Sequence, residues 1–236
     1  MAVRKTYKVD IPIFIPAKCE TPEQIRQNKV LLPFAYHYLN KNQLLRNTVV
    51  LSDSQEFLDY AVRLGFKKTY LEKCVGCKQC RIQEKGILHY MHDTGTDAEW
   101  FIIYSLRRPF KGENLILDVV SKINDNYDFV TTYSIRTDRA MFYIGEDKKF
   151  VEDVEVRNPD RCKHYATVDS ALFCMKKQFL YKVATSKNPD NTLWEGRFKT
   201  VLNKGLYYDM CDDEDFVRIE KVAKVIEEVR GYEASM

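Results

Sequence analysis

The stretch Ile11-Pro12-Ile13-Phe14-Ile15-Pro16-Ala17-Lys18 runs apolar and then stops at a small residue and a cation. A short apolar run punctuated by proline reads as a buried strand, Ile11–Pro16. Glu23–Leu39 follows as a polar loop leading into a helix, and Asn47–Leu51 is the next short buried strand. Strand, helix and strand in that order form a βαβ unit, which builds a mainly parallel sheet with helices on its faces. In such sheets ligands lie beyond the carboxyl ends of the strands. Lys18 and the polar residues behind it are therefore the first place to look for a site.

The same alternation continues outward. Asp53, with Glu56 three residues on, has the form of a capping box. Phe57, Leu58, Ala61, Val62 and Leu64 supply the apolar face of the helix that follows, and Gly65 stops it. Lys67–Leu71 reads as a third strand and Trp100–Tyr104 as a fourth. Between them, residues 73–98 show no clear period and read as one long irregular segment. Leu115–Ile123 is helical. Phe129–Ser134 and Ala140–Ile144 read as strands, with a turn at Glu146–Lys149. Residues 151–167 are polar and loop-like, Ser170–Met175 is a strand leading to a short helix, and Gly205–Tyr208 is a last short strand. Phe216, Ile219, Val222, Ala223, Ile226 and Val229 recur at helical spacing and mark a C-terminal helix. Nothing divides the 236 residues, which read as a single domain, 1–236.

The totals exclude several classes. Thirty-seven basic residues against 34 acidic ones leave a net charge of +3, too balanced for a nucleic-acid partner with its basic stripe. No apolar run reaches the length of a membrane span, and no apolar stretch follows the basic N-terminus as in a signal peptide. The expected location is cytoplasmic, where the seven cysteines are free thiols or metal ligands rather than disulfides.

Several motifs in order carry a resemblance: Ile15-Pro16-Ala17-Lys18; the polar segment with Arg26, Asn28 and Lys29; Val50-Leu51-Ser52-Asp53-Ser54-Gln55-Glu56; Tyr104 to Lys111; Val168 to Phe173; and Tyr208 to Phe216. Together they resemble the cytidylyltransferases that activate sialic acids and Kdo as CMP-sugars, over roughly residues 10–230. The resemblance implies an α/β, Rossmann-like nucleotide-diphospho-sugar transferase (GT-A-like) fold, with a mainly parallel mixed sheet flanked by helices. It also implies transfer of CMP from CTP to an acidic sugar, with pyrophosphate released.

By position, the resemblance places Lys18, Arg26 and Lys29 at the phosphates, with Lys18, Lys29 and Asp209 as the catalytic set. It gives Asn28 and Thr94 to the base, Lys111 to the sugar acid, and Asp209 with Asp212 to Mg²⁺. It further implies a homodimer, with a segment around 135–185 completing the partner's pocket; Tyr133, Arg136, Arg139, Phe142 and Tyr143 suit such an interface. This chain departs from the family at Lys18 (arginine there), at Cys19 and Glu20 (glycines) and at Cys211 (aspartate). These departures support the alternative of a non-catalytic relative that binds a nucleotide or sugar-nucleotide. Each assigned residue also has a plainer reading: solvated loop cations for Lys18, Arg26 and Lys29, a helix cap for Asp212 with Asp215, and a surface lysine for Lys111.

One feature falls outside the resemblance. Cys74, Cys77 and Cys80 are spaced C-x2-C-x2-C, and His89 and His92 follow as H-x2-H. Thiolates and imidazoles at such spacing are zinc ligands, and the triple cysteine spacing also occurs in iron–sulfur proteins. A run of free thiols is the other reading. Cys174, inside an apolar strand, reads as core.

Overall fold

The structure, a computed structural model, describes residues 10–72, 82–138, 142–144, 150–152, 163–205 and 216–224. Its first strand, β1 (Ile13–Ala17), is almost entirely buried. Period-2 alternation splits it between two layers: Ile13, Ile15 and Ala17 enter one apolar cluster, and Phe14 enters the other. Strands covered on both faces carry near-continuous apolar runs. That is why β1, β2 (Thr48–Ser52) and β4 (Trp100–Tyr104) are legible as short hydrophobic words.

A seven-stranded sheet holds these together, in the order β3-β2-β1-β4-β8-β5-β9. Here β3 is Thr69–Leu71, β5 Phe129–Asp138, β8 Lys163–Lys176 and β9 Phe198–Leu202. β1 pairs parallel with β2 and β4, and β2 pairs parallel with β3. β8 runs antiparallel to both β4 and β5, and β9 returns parallel to β5. A separate antiparallel pair, β6 (Phe142–Ile144) and β7 (Phe150–Glu152), lies between β5 and β8 in the chain. The first layer takes α1 (Pro22–Lys41), α2 (Gln55–Leu64), α4 (Leu115–Val120) and the helix over 216–224; the second takes α3 (Ile82–Asp93) and α5 (Lys177–Thr185). A short α6 (Pro189–Trp194) then leads into β9.

Several expectations change. The polar loop expected around Arg26, Asn28 and Lys29 is helix. α1 starts at Pro22, because Thr21 and Gln24 form a capping box and proline occupies the first turn. At α2 the cap is Ser54, whose hydroxyl accepts from the Phe57 amide, rather than Asp53 with Glu56. Val62 is 55% exposed, whereas Phe57, Leu58 and Ala61 are buried. The segment 73–98 contains α3. Its core contacts come from Ile87 and Met91, one turn apart, and Gly86 beside them weakens the pattern. Residues 163–167, expected as loop, belong to β8, and β9 was not anticipated. The turn at 146–149 and the strand expected over 206–208 lie outside the described residues.

Gly65 ends α2 as expected, with φ +115 and its amide on the Ala61 and Val62 carbonyls. A Cβ there would meet the Tyr36 ring at 2.9 Å. Gly65→Ala should therefore lower stability by about 1–3 kcal/mol. For a chain of this length, the unfolding temperature should drop by about 2–4 °C per kcal/mol. Thermal unfolding followed by circular dichroism reads this directly, and an unchanged midpoint would contradict it.

Candidate functional site

The carboxyl end of β1 leads into four residues, Lys18 to Thr21, before α1 begins. That connection is held from three sides. The Ser52 hydroxyl donates to the Ala17 carbonyl at 2.8 Å, and the Cys19 amide donates to Asp53 Oδ1 at 2.7 Å. From α1, Asn28 Nδ2 donates to the Lys18 carbonyl at 2.9 Å and lies 3.4 Å from Cys19 Sγ. Asp53 is thus a tether between the ends of β1 and β2. Cys19, 6% exposed, has its thiol pKa raised above 9.0 by burial, against the opposing hydrogen bonds of Ser52 and Asn28.

The cations of this edge face carboxylates. Lys18 Nζ lies 2.8 Å from Glu20, and Lys29 Nζ lies 2.5 Å from Glu56. Arg26 binds Glu23 on its own helix and Glu220 on the helix over 216–224, and its guanidinium lies 4.8 Å from the Phe216 ring centroid. Lys18, Arg26, Asn28 and Lys29 are therefore brought to one edge, and Arg26 is committed to joining two helices there. Their pairs are solvent-accessible, with the Lys18 side chain 47% exposed, and such pairs contribute only about 0–1 kcal/mol each.

Lys111 sits on the segment that leaves β4. Its Nζ donates to the carbonyls of Ser105 and Arg108, at 2.8 and 2.6 Å, and lies 3.6 Å from the Tyr104 ring centroid. Burial pushes its pKa well below the usual lysine range, and the charge of Asp169 pushes back. Lys111 thus braces its own loop.

Beside it lies a polar cluster that was not anticipated from the sequence. Asp169 is 1% exposed; its carboxylate accepts from the hydroxyls of Thr132 and Ser134, from Asn203 Nδ2 at 2.9 Å and from the Ala171 amide at 3.0 Å. Asn203 Oδ1 in turn accepts the amides of Gly112 and Gly205, and Arg108 Nε donates to the Asp169 carbonyl at 2.8 Å. Ser170 has φ 51, the left-handed conformation that favours glycine. The only sequence signal for this cluster was Asp169-Ser170 within an apolar strand. Asn203 had none.

Thr94 follows α3 and precedes β4, at the edge where β4 begins, opposite the edge where Lys18 leaves β1. Its hydroxyl donates to the Tyr90 carbonyl and pairs with Thr96. The structure does not bring it to the cations. A groove of about 600 Å³ between α3 and α5, lined by Leu88, Asp97, Glu99, Lys177 and Tyr181 among others, contains none of the expected site residues. His89 and His92 lie on α3. Asp209, Asp212, Cys74, Cys77 and Cys80 lie outside the described residues, and no group of three or more metal-type side chains occurs among the described ones. No described helix is long and apolar enough to cross a membrane.

No protein-family model matches the chain, and no curated protein matches it by sequence. Solved structures do match in fold. One is 4-diphosphocytidyl-2C-methyl-D-erythritol synthase from Anaerococcus prevotii, at TM-score 0.53 and 13% identity, covering 91% of this chain and 98% of that one. Another is a CMP:2-keto-3-deoxy-manno-octonic acid synthetase solved with CTP, at TM-score 0.55 and 13% identity, covering 92% and 98%. A third is a glucose-1-phosphate thymidylyltransferase structure from Bacillus anthracis, at TM-score 0.56 and 14% identity, covering 90% and 95%. The architecture is therefore the α/β, Rossmann-like fold of nucleotide-diphospho-sugar transferases, as expected.

The tether makes a measurable prediction. Cys19 should be alkylated slowly near pH 7.5 in the folded protein, since burial disfavours its thiolate. Asp53→Ala, which frees the Cys19 amide, should speed modification of Cys19 while leaving Cys174, fully buried in the core, unreactive. Peptide-resolved mass spectrometry separates the two thiols. Equal rates at Cys19 in both proteins would show that Asp53 does not hold the loop.

Proposed function

We propose that this chain is a nucleotidyltransferase that draws on CTP and transfers CMP to an acidic sugar of the sialic acid or Kdo type. The observation that carries this reading is the gathering of Lys18, Asn28 and Lys29 at the carboxyl end of β1. In open α/β sheets this is the edge where ligands bind, and the fold is shared with a synthetase solved with CTP.

In the proposed reaction the sugar hydroxyl attacks the α-phosphorus of CTP. A new P–O bond forms, the bond to pyrophosphate breaks, and the hydroxyl proton leaves to solvent. The protein's part is positioning and charge neutralisation. Lys18 and Lys29 would balance the leaving pyrophosphate, and Asn28, by holding the Lys18 carbonyl, would set where that lysine stands. Mg²⁺ would add charge neutralisation when bound, and Asp209 and Asp212 are the residues the resemblance assigns to it.

A homodimer belongs to the same reading. β5 and β8 place Tyr133, Ile135 and Val168 on one face, with Ile135 49% and Val168 38% exposed. That is apolar surface of the kind an interface covers. The proposed location is cytoplasmic.

A second reading has a specific observation in its favour. Glu20 and Glu56 already occupy the two lysines. Displacing such exposed pairs costs little, about 0–1 kcal/mol each. A carboxylate left about 4 Å from a phosphate, however, costs about 1–4 kcal/mol, depending on how far water penetrates. Both terms are costs and add, so they count against a triphosphate poised for transfer at this edge, which favours a relative that binds a nucleotide or sugar-nucleotide without transferring it.

Thermal unfolding with CTP, UTP, ATP and GTP, with and without Mg²⁺, comes first. A ligand at a hundredfold excess over its dissociation constant stabilises the folded state by about 2.7 kcal/mol. The expected result is a CTP-selective rise in midpoint. Lys18→Ala and Lys29→Ala should each weaken it by about tenfold in affinity, or about 1.4 kcal/mol, with no change in midpoint without nucleotide. Pyrophosphate release on adding a sugar acid selects the transferase, and CTP binding without release selects the second reading. No shift with any nucleotide overturns both.

A further inference from the structure

The carboxyl edge of the sheet holds an irregularity beside the turn that follows β1. β1 and β4 run parallel, with Ile13 opposite Ile102 and Phe14 opposite Ile103, so the segment leaving β4 emerges next to the one leaving β1. On its other side β4 pairs with β8. Tyr104 stands opposite Leu172, and the Ser105 amide still donates to the Ala171 carbonyl at 3.1 Å. β8 then departs from its ladder with β5. Thr131 faces Phe173 and Tyr133 faces Val168, so Asp169 to Leu172 stand opposite the single residue Thr132. A bulge bends its strand and re-aims the groups it carries, and bulges gather next to active sites. With Ser170 at φ 51, this one turns the Asp169 carboxylate into the sheet and its carbonyl toward the segment leaving β4.

That carbonyl takes Arg108. Arg108 Nε donates to it at 2.8 Å, and Lys111 Nζ donates to the Arg108 carbonyl at 2.6 Å. Both the side chain and the backbone of Arg108 are therefore held. The two terminal nitrogens of an arginine carry its other four donors, in the planar fork that matches a carboxylate bidentately. Fixing such a side chain in advance lowers the entropy lost when a ligand binds. Arg108 is half-buried, whereas its neighbour Arg107 is exposed.

Lys111, which the resemblance assigns to the sugar acid, is committed to its own loop: its Nζ serves two carbonyls and lies over the Tyr104 ring. A carboxylate brought to this edge then needs another cation. The lysines assigned to the phosphates belong to the side toward β2, where Lys29 meets Glu56 in the first turn of α2. Arg108 lies on the side toward β8. We infer that Arg108 takes the carboxylate of the acceptor sugar acid and so selects acidic sugars over neutral ones, a role that rests on the nucleotidyltransferase reading. Asp169 and Lys111 position it, one through its side chain and the other through its backbone. No bond is made or broken at Arg108.

The test is titration calorimetry on the full chain with Kdo and with N-acetylneuraminate, each beside its methyl ester, which keeps the sugar and removes the charge. One set contains CMP, which has no pyrophosphate to release, and one omits it. The wild type should bind one of the acids roughly 10–100-fold more tightly than its ester. Arg108→Gln retains a donor for the Asp169 carbonyl but carries no charge, and should bind acid and ester alike. Arg108→Lys should recover part of the preference, and Arg107→Ala should keep it. CTP affinity should be the same in all of them. The ratio of acid to ester does not respond to a general loss of stability, so a merely structural arginine would leave it unmoved. A wild type that binds neither acid, or binds acid and ester equally, overturns the inference without any variant. So does an Arg108→Gln protein that keeps the preference, or one that loses CTP affinity instead, which would assign Arg108 to the phosphates. Failure of the nucleotide reading shows separately, as a wild type that does not bind CTP, and the set without CMP then decides the acid preference alone.

Discussion

A buried carboxylate that must be satisfied organises the second half of this molecule. Asp169 lies inside the sheet, where an unpaired charge would be too costly to keep, and four donors converge on it. The register between β5 and β8 shifts between Thr131 and Tyr133. The Thr132 hydroxyl takes up the amides of Ala171 and Leu172 that the shift frees from the ladder. Asn203 then carries the connection outward, with one end on Asp169 and the other on the amides of Gly112 and Gly205. One buried side chain therefore ties β5, β8, the exit of β9 and the segment after β4 together. Removing a partner would leave a buried group unsatisfied, at about 1–3 kcal/mol or more for a charged one.

The first half is organised by packing instead. β1 divides its side chains between two apolar layers, and its neighbours β2 and β4 do the same. With the strands so covered, only their carboxyl ends remain for polar chemistry. There the chain spends Ser52, Asp53 and Asn28 on holding a four-residue turn. The turn is short because the capping box at Thr21 and Gln24 starts α1 early. The same local signal that makes α1 begin at Pro22 lifts Arg26, Asn28 and Lys29 onto a helix, where the two cations meet carboxylates and Asn28 meets the Lys18 carbonyl. The lysines of the candidate nucleotide edge and Arg108 are thus held by different materials: accessible ion pairs at one, and backbone hydrogen bonds at the other.

Much of this was legible in the chain itself. β1, β2 and β4 are apolar words, because strands buried on two faces have no polar side to show. Gly65 was readable as a stop because a left-handed cap needs it. The helix over 216–224 was readable because Phe216 and Ile219 bury one face. The sequence also marked Lys18 as standing past a strand, and Cys74 to His92 as a metal-type spacing. Local signals failed where two compete. Thr21-Pro22-Glu23-Gln24 spells a helix start inside what reads as a polar loop, and Ser54 outcompetes Asp53 for the cap.

What tertiary structure alone decided is which polar residues meet. Asp53 and Cys19 are 34 residues apart, Asn203 and Asp169 are also 34 apart, and Lys29 reaches Glu56 across 27. No period or spacing encodes such pairs, because a side chain's partner depends on which strands the sheet sets side by side. The same holds for Thr94, which is near the cations in no sense except its motif, and for Arg108, a cation with no assigned role until β8 sets the Asp169 carbonyl against it. Apolar patterning is local and repeats along the chain, so sequence determines which segments are strands and helices. Polar pairing is non-local and is settled only when the layers pack.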